Sequence, residues 1–256
     1  MAAETDLPRR RGCVWVVNLA LLVGLTAWIL MDPGFERFGD RLMQVFAAWS
    51  TSGPWKQAFA AAGKVRLVAF GGIVAVSGAT LVRMTVGLVR GSPPHRTLRR
   101  WFIFVALLGM WITLGRFWRD LGWTGKSLRV RDEIAAIQPV AERLHGNWPV
   151  EDGNIAGLGA FSAYPPLAPT MLLLLTPPEL SMRERAISAV ERTASGALCF
   201  ELSGSERGDW LQWHPEGSRP VDFHSGLDVP YRLVKFRQVT GRWYLARYNS
   251  AWTTGQ

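Results

Sequence analysis

The chain is polar for its first dozen residues and then apolar for nineteen, from Cys13 to Met31 (CVWVVNLALLVGLTAWILM), with no charged side chain and Asn18 as the one strongly polar residue. As a helix this stretch reaches about 28 Å, the thickness of a bilayer's hydrocarbon layer. Arg9, Arg10 and Arg11 precede it and Asp32-Pro33-Gly34 ends it. A cleaved signal peptide is the rival reading. The apolar core is long for that role and no A-x-A-like site precedes Asp32, so the pattern predicts a retained helix.

Two further runs follow. Leu67 to Val82 continues through Arg83 to Val89, and Trp101 to Leu114 is completed by Gly115 to Trp118, with Arg116 snorkelling to the interface. The spans are thus expected at about 13–31, 66–89 and 101–118. Between the first two, Phe35, Phe38, Leu42, Val45, Phe46 and Trp49 recur at helical spacing while Glu36, Arg37, Asp40 and Arg41 take another face. That pattern predicts an amphipathic helix over about 35–49, lying in the membrane interface or packed on a neighbour. Ser52 and Pro54 suit the start of another helix that runs unbroken into the second span.

Past Gly125 the pattern changes. Ile134, Ile137, Ala141 and Leu144 mark a helix over Leu128–Leu144, stopped near Gly146. Residues 153–169 are rich in Gly, Ala and Pro and read as loop. Met171–Leu175 reads as a buried strand. Ser181-Met-Arg-Glu184 matches a capping box and predicts a second helix as far as Arg192. Strand signals follow at 197–202, 209–214 and 221–224, and 231–239 with 242–248 form a hairpin about Thr240-Gly241. The expected fold class is therefore a membrane-anchored α+β protein. A membrane domain over 1–125 carries three transmembrane helices, and an extramembrane domain over 126–256 has an antiparallel sheet with two helices on one face.

Charge sharpens this division. The chain carries a net +9, yet residues 1–125 hold fifteen Lys/Arg against six Asp/Glu, and residues 126–256 hold fourteen of each. The positive excess flanks apolar runs, as topology signals do, and does not cover a folded polar surface, which argues against nucleic acid as a partner. Arg9–Arg11 and the four Arg of the 90–100 loop favour a cytoplasmic N-terminus and, after three crossings, an extracytoplasmic C-terminal domain. Arg116, Arg119, Lys126, Arg129 and Arg131 pull the other way. Of the thirteen Trp, Trp15 and Trp28 bracket the first span and Trp101, Trp118 and Trp123 the third, where indoles favour the headgroup level. Two cysteines exclude a disulfide scaffold, and in this topology Cys13 and Cys199 lie on opposite sides of the membrane.

Candidate chemistry is sparse. On a hairpin joining 209–214 to 221–224, pairing His214 with Asp222 would put His214, Asp222 and His224 on one face, fit to bind a metal or support acid–base work; a one-residue slip would move His224 to the other face. Gly153-x3-Gly157-x-Gly159 lacks the Lys-Ser/Thr of a phosphate loop. No motif calls for a metal or a cofactor. Lys235 and Arg237 share a face of the last hairpin, where they could meet anionic headgroups or an acidic partner. Gly71, Ala75 and Ala79 form a small-residue stripe able to seat another helix, from a membrane-protein partner or a second copy. The resulting expectation is a multi-pass membrane protein that works by binding or assembly without catalysis; the alternative is a membrane-bound enzyme using the His/Asp cluster. Transport is disfavoured, because the spans carry almost no ionisable residue at mid-depth.

Overall fold

The computed structural model describes residues 14–50, 63–90, 97–175, 187–202 and 208–250, without the side chains of 46–50 and 250. It divides into two compact units, before and after the Trp123–Thr124 bond.

The first unit is helical. Helices α1 (Val14–Met31), α2 (Phe35–Ser50), α3 (Lys64–Arg90) and α4 (Leu98–Gly146) occur in that order. Three of them, α1, α3 and α4, are long and apolar enough to cross a membrane. Leu25, Ile29, Phe35, Phe38 and Leu114 form the buried core, flanked by Trp28, Phe70 and Trp118. The ring of Phe35 meets those of Trp28, Phe38 and Trp118 edge-on, at centroid distances of 5.4, 5.7 and 6.1 Å. Phe35, Phe38 and Leu42 of the apolar face of α2 thus pack inside the helical unit. Gly39 makes this possible, since a Cβ there would stand 2.5 Å from the Trp118 ring. Gly63, at φ +86°, precedes α3. That angle is foreign to a right-handed helix, so the expected unbroken run from Pro54 into the second span does not occur; the start of that run lies outside the described residues.

Asp32 closes the turn between α1 and α2. Its carboxylate accepts from the Gly34 N–H at 2.8 Å and from Trp28 Nε1 at 2.9 Å, and pairs with Arg66 of α3 at 2.9 Å. Asn18 is fully buried. Its amide donates to the Thr80 hydroxyl and accepts from Trp111 Nε1 at 3.3 Å, tying α1, α3 and α4 together.

The second unit holds the end of α4 and one nine-stranded antiparallel sheet. The strands are β1 (Gly153–Ile155), β2 (Gly159–Tyr164), β3 (Met171–Leu174), β4 (Ile187–Arg192), β5 (Leu198–Leu202), β6 (Asp209–Trp213), β7 (Phe223–His224), β8 (Pro230–Thr240) and β9 (Trp243–Ser250). Their spatial order is β1-β2-β3-β4-β5-β6-β9-β8-β7. Ile134, Ile137, Ala141 and Leu144 are all buried, as their spacing predicts. The face of Trp213 and Trp243 meets α4: the Trp213 ring lies tilted against His145 at a centroid distance of 4.7 Å, and Trp243 Nε1 donates to Gln138.

Three expectations need correction. The apolar run 101–118 and the helix 128–144 are one 49-residue helix, because nothing between them breaks the i→i−4 ladder. Residues 187–192 form strand β4, paired with both β3 and β5. Tertiary pairing overrides the helical propensity of Ala, Glu and Arg there; the capping-box residues 181–186 lie outside the described part. One helix, not two, therefore packs on the sheet among the described residues. Within 153–169, residues 153–155 and 159–164 are strands β1 and β2. Gly157 in the turn joining them and Gly159 at the start of β2 take φ of +92° and +83°, and the element that follows this turn is strand β2, not a helix that could cradle a phosphate.

Candidate functional site

Strand β6 lies between β5 and β9 and is buried on both faces. Directly after it, the His214 N–H extends the pairing by donating to Arg242 O at 2.9 Å. Pro215 to Ser218 then make a turn in which Gly217 takes φ +78° and the Ser218 N–H donates to Pro215 O at 3.2 Å. This turn brings the Ser218 hydroxyl 2.9 Å from His214 Nδ1, while His214 Nε2 lies 3.0 Å from Gln212 Oε1.

The proton positions follow by elimination. Gln212 Nε2 donates to the Tyr248 hydroxyl at 2.9 Å, which leaves Gln212 Oε1 as an acceptor. His214 Nε2 therefore carries hydrogen, and Nδ1 is an acceptor facing the Ser218 hydroxyl, whose one hydrogen also lies within reach of Pro215 O at 3.2 Å. The Tyr248 hydroxyl donates onward to Val221 O at 3.1 Å. Burial lowers the His214 pKa from 6.5 to about 4, so the imidazole is neutral at neutral pH. Burial, followed by the charge of Cys199, raises the Tyr248 phenol above its ordinary range.

Beside this chain of hydrogen bonds lies a shallow polar pocket of about 290 Å³, lined by His214, Ser218, Arg242 and Tyr244 among others. Arg242 stands 5.9 Å from the Trp213 ring and 3.9 Å from the exposed Glu216 carboxylate. The pocket suits a small polar ligand. Its imidazole is held by two partners and its serine hydroxyl by two, His214 Nδ1 and Pro215 O, an arrangement that fixes the turn.

The hairpin expected for 209–224 does not form. Strands β9 and β8 stand between β6 and β7. The Asp222 carboxylate accepts the Leu233 N–H at 2.8 Å. His224 is exposed on β7, opposite Pro230. His214, Asp222 and His224 therefore have separate surroundings, and among the described residues no group of acids, His or Cys is placed to hold a metal. The residues that do surround His214 are Gln212, Ser218 and Tyr244, with Tyr248 linked to it through Gln212. Gln212 was findable, two positions before His214 on one strand face; Tyr248 was not, because its approach depends on β9 lying beside β6.

No family model, curated protein or solved structure matches this chain. Its chemistry must be read from its own groups.

Two further clusters lie in the sheet unit. On the face toward α4, Asp209 is buried between Lys126, which donates to it, and Arg247, whose Nε donates at 2.6 Å. Burial alone would raise the Asp209 pKa; the two cations outweigh it and hold the carboxyl below the ordinary carboxylate range. The opposite face carries Glu191, Cys199 and Gln212. Burial, and then the charge of Glu201, push Glu191 from 4.5 up to about 8, against an opposing backbone hydrogen bond at Gly226. Burial, then the Glu191 charge, likewise raise the Cys199 thiol.

Of the basic pair, Lys235 stands opposite Arg247 and Arg237 opposite Leu245, so both lie on the α4 side. Arg237 donates to Thr124 and Ser127 hydroxyls at 3.2 and 3.4 Å. In the helical unit, Gly71, Ala75 and Ala79 are exposed, while Leu67, Phe70, Ile73, Ser77 and Thr80 take the packed face of α3.

Proposed function

We propose that this chain is a multi-pass membrane protein that presents its α+β unit at the bilayer surface and acts by binding or assembly within a membrane complex, without catalysis. The observation that carries this reading is where the helices put their apolar side chains. Val16, Val23, Val68, Val82, Phe102 and Ile112 all face outward, while the polar Asn18 is turned inward against Thr80 and Trp111. That arrangement suits lipid as the solvent. The stripe of Gly71, Ala75 and Ala79 is left on the outward side of α3, where a neighbouring helix can approach closely. The arginines of 9–11 and of the 90–100 loop favour a cytoplasmic N-terminus and an extracytoplasmic sheet unit.

The test is a pull-down in mild detergent. The tagged chain is expected to remain in the membrane fraction after an alkaline wash and to bring down a second membrane protein or a second copy of itself. Replacing Gly71, Ala75 and Ala79 together by Leu should abolish the capture without lowering expression. Recovery of the chain in the soluble fraction would defeat the membrane reading, and a solitary monomer in every detergent would defeat assembly.

A further inference from the structure

Strand β8 is unevenly paired. One edge runs alongside β9 from Tyr231 to Thr240, with the register shifting at Val234 and again at Val239. On the other edge β7 covers only Pro230 and Tyr231, and the Leu233 N–H is taken by Asp222. Among the described residues, no strand lies beside that edge from Val234 to Thr240. Val234 and Phe236 are exposed there, at 51% and 43%. The charged side chains of β8 are Arg232, Lys235 and Arg237; Arg242 faces Glu216, Arg247 is buried against Asp209, and the Asp222 carboxylate stands at the Leu233 end of the edge.

An open edge offers a row of backbone donors and acceptors, and proteins commonly protect such edges with cations. Cations protect selectively. Two copies of this edge would bring like charges together across the new ladder, which is unfavourable. A strand bearing carboxylates would meet the opposite charge. We propose that the outer edge of β8, from Val234 to Thr240, takes an acidic, extended segment of a partner protein as a tenth strand. Backbone hydrogen bonds supply affinity, Val234 and Phe236 offer apolar contact to alternate side chains, and Arg232 and Arg237 set the preference for acid. This inference rests on the assembly reading and names a second surface on which it operates.

The experiment uses the full chain in detergent micelles and follows amide hydrogen exchange. A short synthetic peptide alternating glutamate and valine is the probe, with a lysine-for-glutamate counterpart as control. The acidic peptide should slow exchange across 234–240 roughly tenfold, an effect that weakens as salt is raised. The lysine peptide should leave exchange unchanged. The double variant Arg232→Glu and Val234→Glu, both at exposed positions, should lose protection by the acidic peptide and gain it from the lysine peptide. Equal protection by both peptides, or none by either, overturns the proposal. So does protection by phosphatidylglycerol bicelles in place of the peptide, which assigns the edge to lipid headgroups. Failed protection alongside a successful pull-down sinks only this proposal; failure of the pull-down with protection intact sinks assembly through the α3 stripe.

Discussion

The two units tie their elements together through different polar groups, although the helical unit also buries Glu36 at the start of α2. In the helical unit the polar junction is neutral: one amide, Asn18, meets a hydroxyl and an indole N–H. In the sheet unit it is ionic, with Asp209 between Lys126 and Arg247. The difference follows from what surrounds each. A helix whose outer side chains are apolar on every face cannot offset the desolvation of an ion, and a neutral amide costs less to bury. A sheet core can hold an ion when two opposite charges and their hydrogen bonds surround it. Apolar side chains show the same inversion: they face outward on α1 and α3 and inward on β5, β6 and β9.

The comparison breaks most visibly at Asp209. Asp209→Ala leaves two buried cations without their anion and should cost about 3–5 kcal/mol, read as a lower denaturation midpoint in the exchange of β6 and β9 amides. A loss below 1 kcal/mol would mean that water reaches the cluster.

The second effect is one of pH. Glu191 has its pKa raised from 4.5 to about 8 in the folded state, so the stability it confers is complete below pH 4.5 and falls as pH rises to 8. His214 is lowered from 6.5 to about 4, so folding is increasingly disfavoured as pH falls from 6.5 to 4. Between 4.5 and 6.5 the two slopes oppose each other. Thermal stability of the sheet unit should therefore be level in that window and decline from 6.5 to 8. Glu191→Gln should remove the decline; a decline that persists assigns it to another group.

The smallest effect is expected at the neutral junction. Asn18→Leu should cost about 1 kcal/mol, as single interhelical hydrogen bonds in membranes do, measured as easier unfolding of α1 in mixed micelles. A loss comparable to that of Asp209→Ala would erase the contrast between the units.

Much of this architecture is written locally in the chain. The apolar runs mark α1, α3 and the first part of α4, because a helix long and apolar enough to cross a membrane is apolar on all sides over a fixed length. Ile134, Ile137, Ala141 and Leu144 mark the rest of α4 by their period. Strands β3, β5, β6, β8 and β9 show as short apolar or alternating runs between turn residues. What local pattern does not carry is partner choice. Ile187–Arg192 looks helical until β3 and β5 enclose it, and β6 takes β9 as its neighbour although 221–224 is nearer in sequence. The site suffers for the same reason. His214 was visible as a candidate, but Tyr248, which fixes the orientation of Gln212, lies on a strand more than thirty residues away.

Cys199 has no exposed surface and a thiol pushed toward its protonated form. Thiolate chemistry is closed to it in the intact sheet. Its reaction with any alkylating reagent must await departure of the covering residues, among them Trp210 and Tyr248, so this one sulfur keeps time for the breathing of the protein's interior.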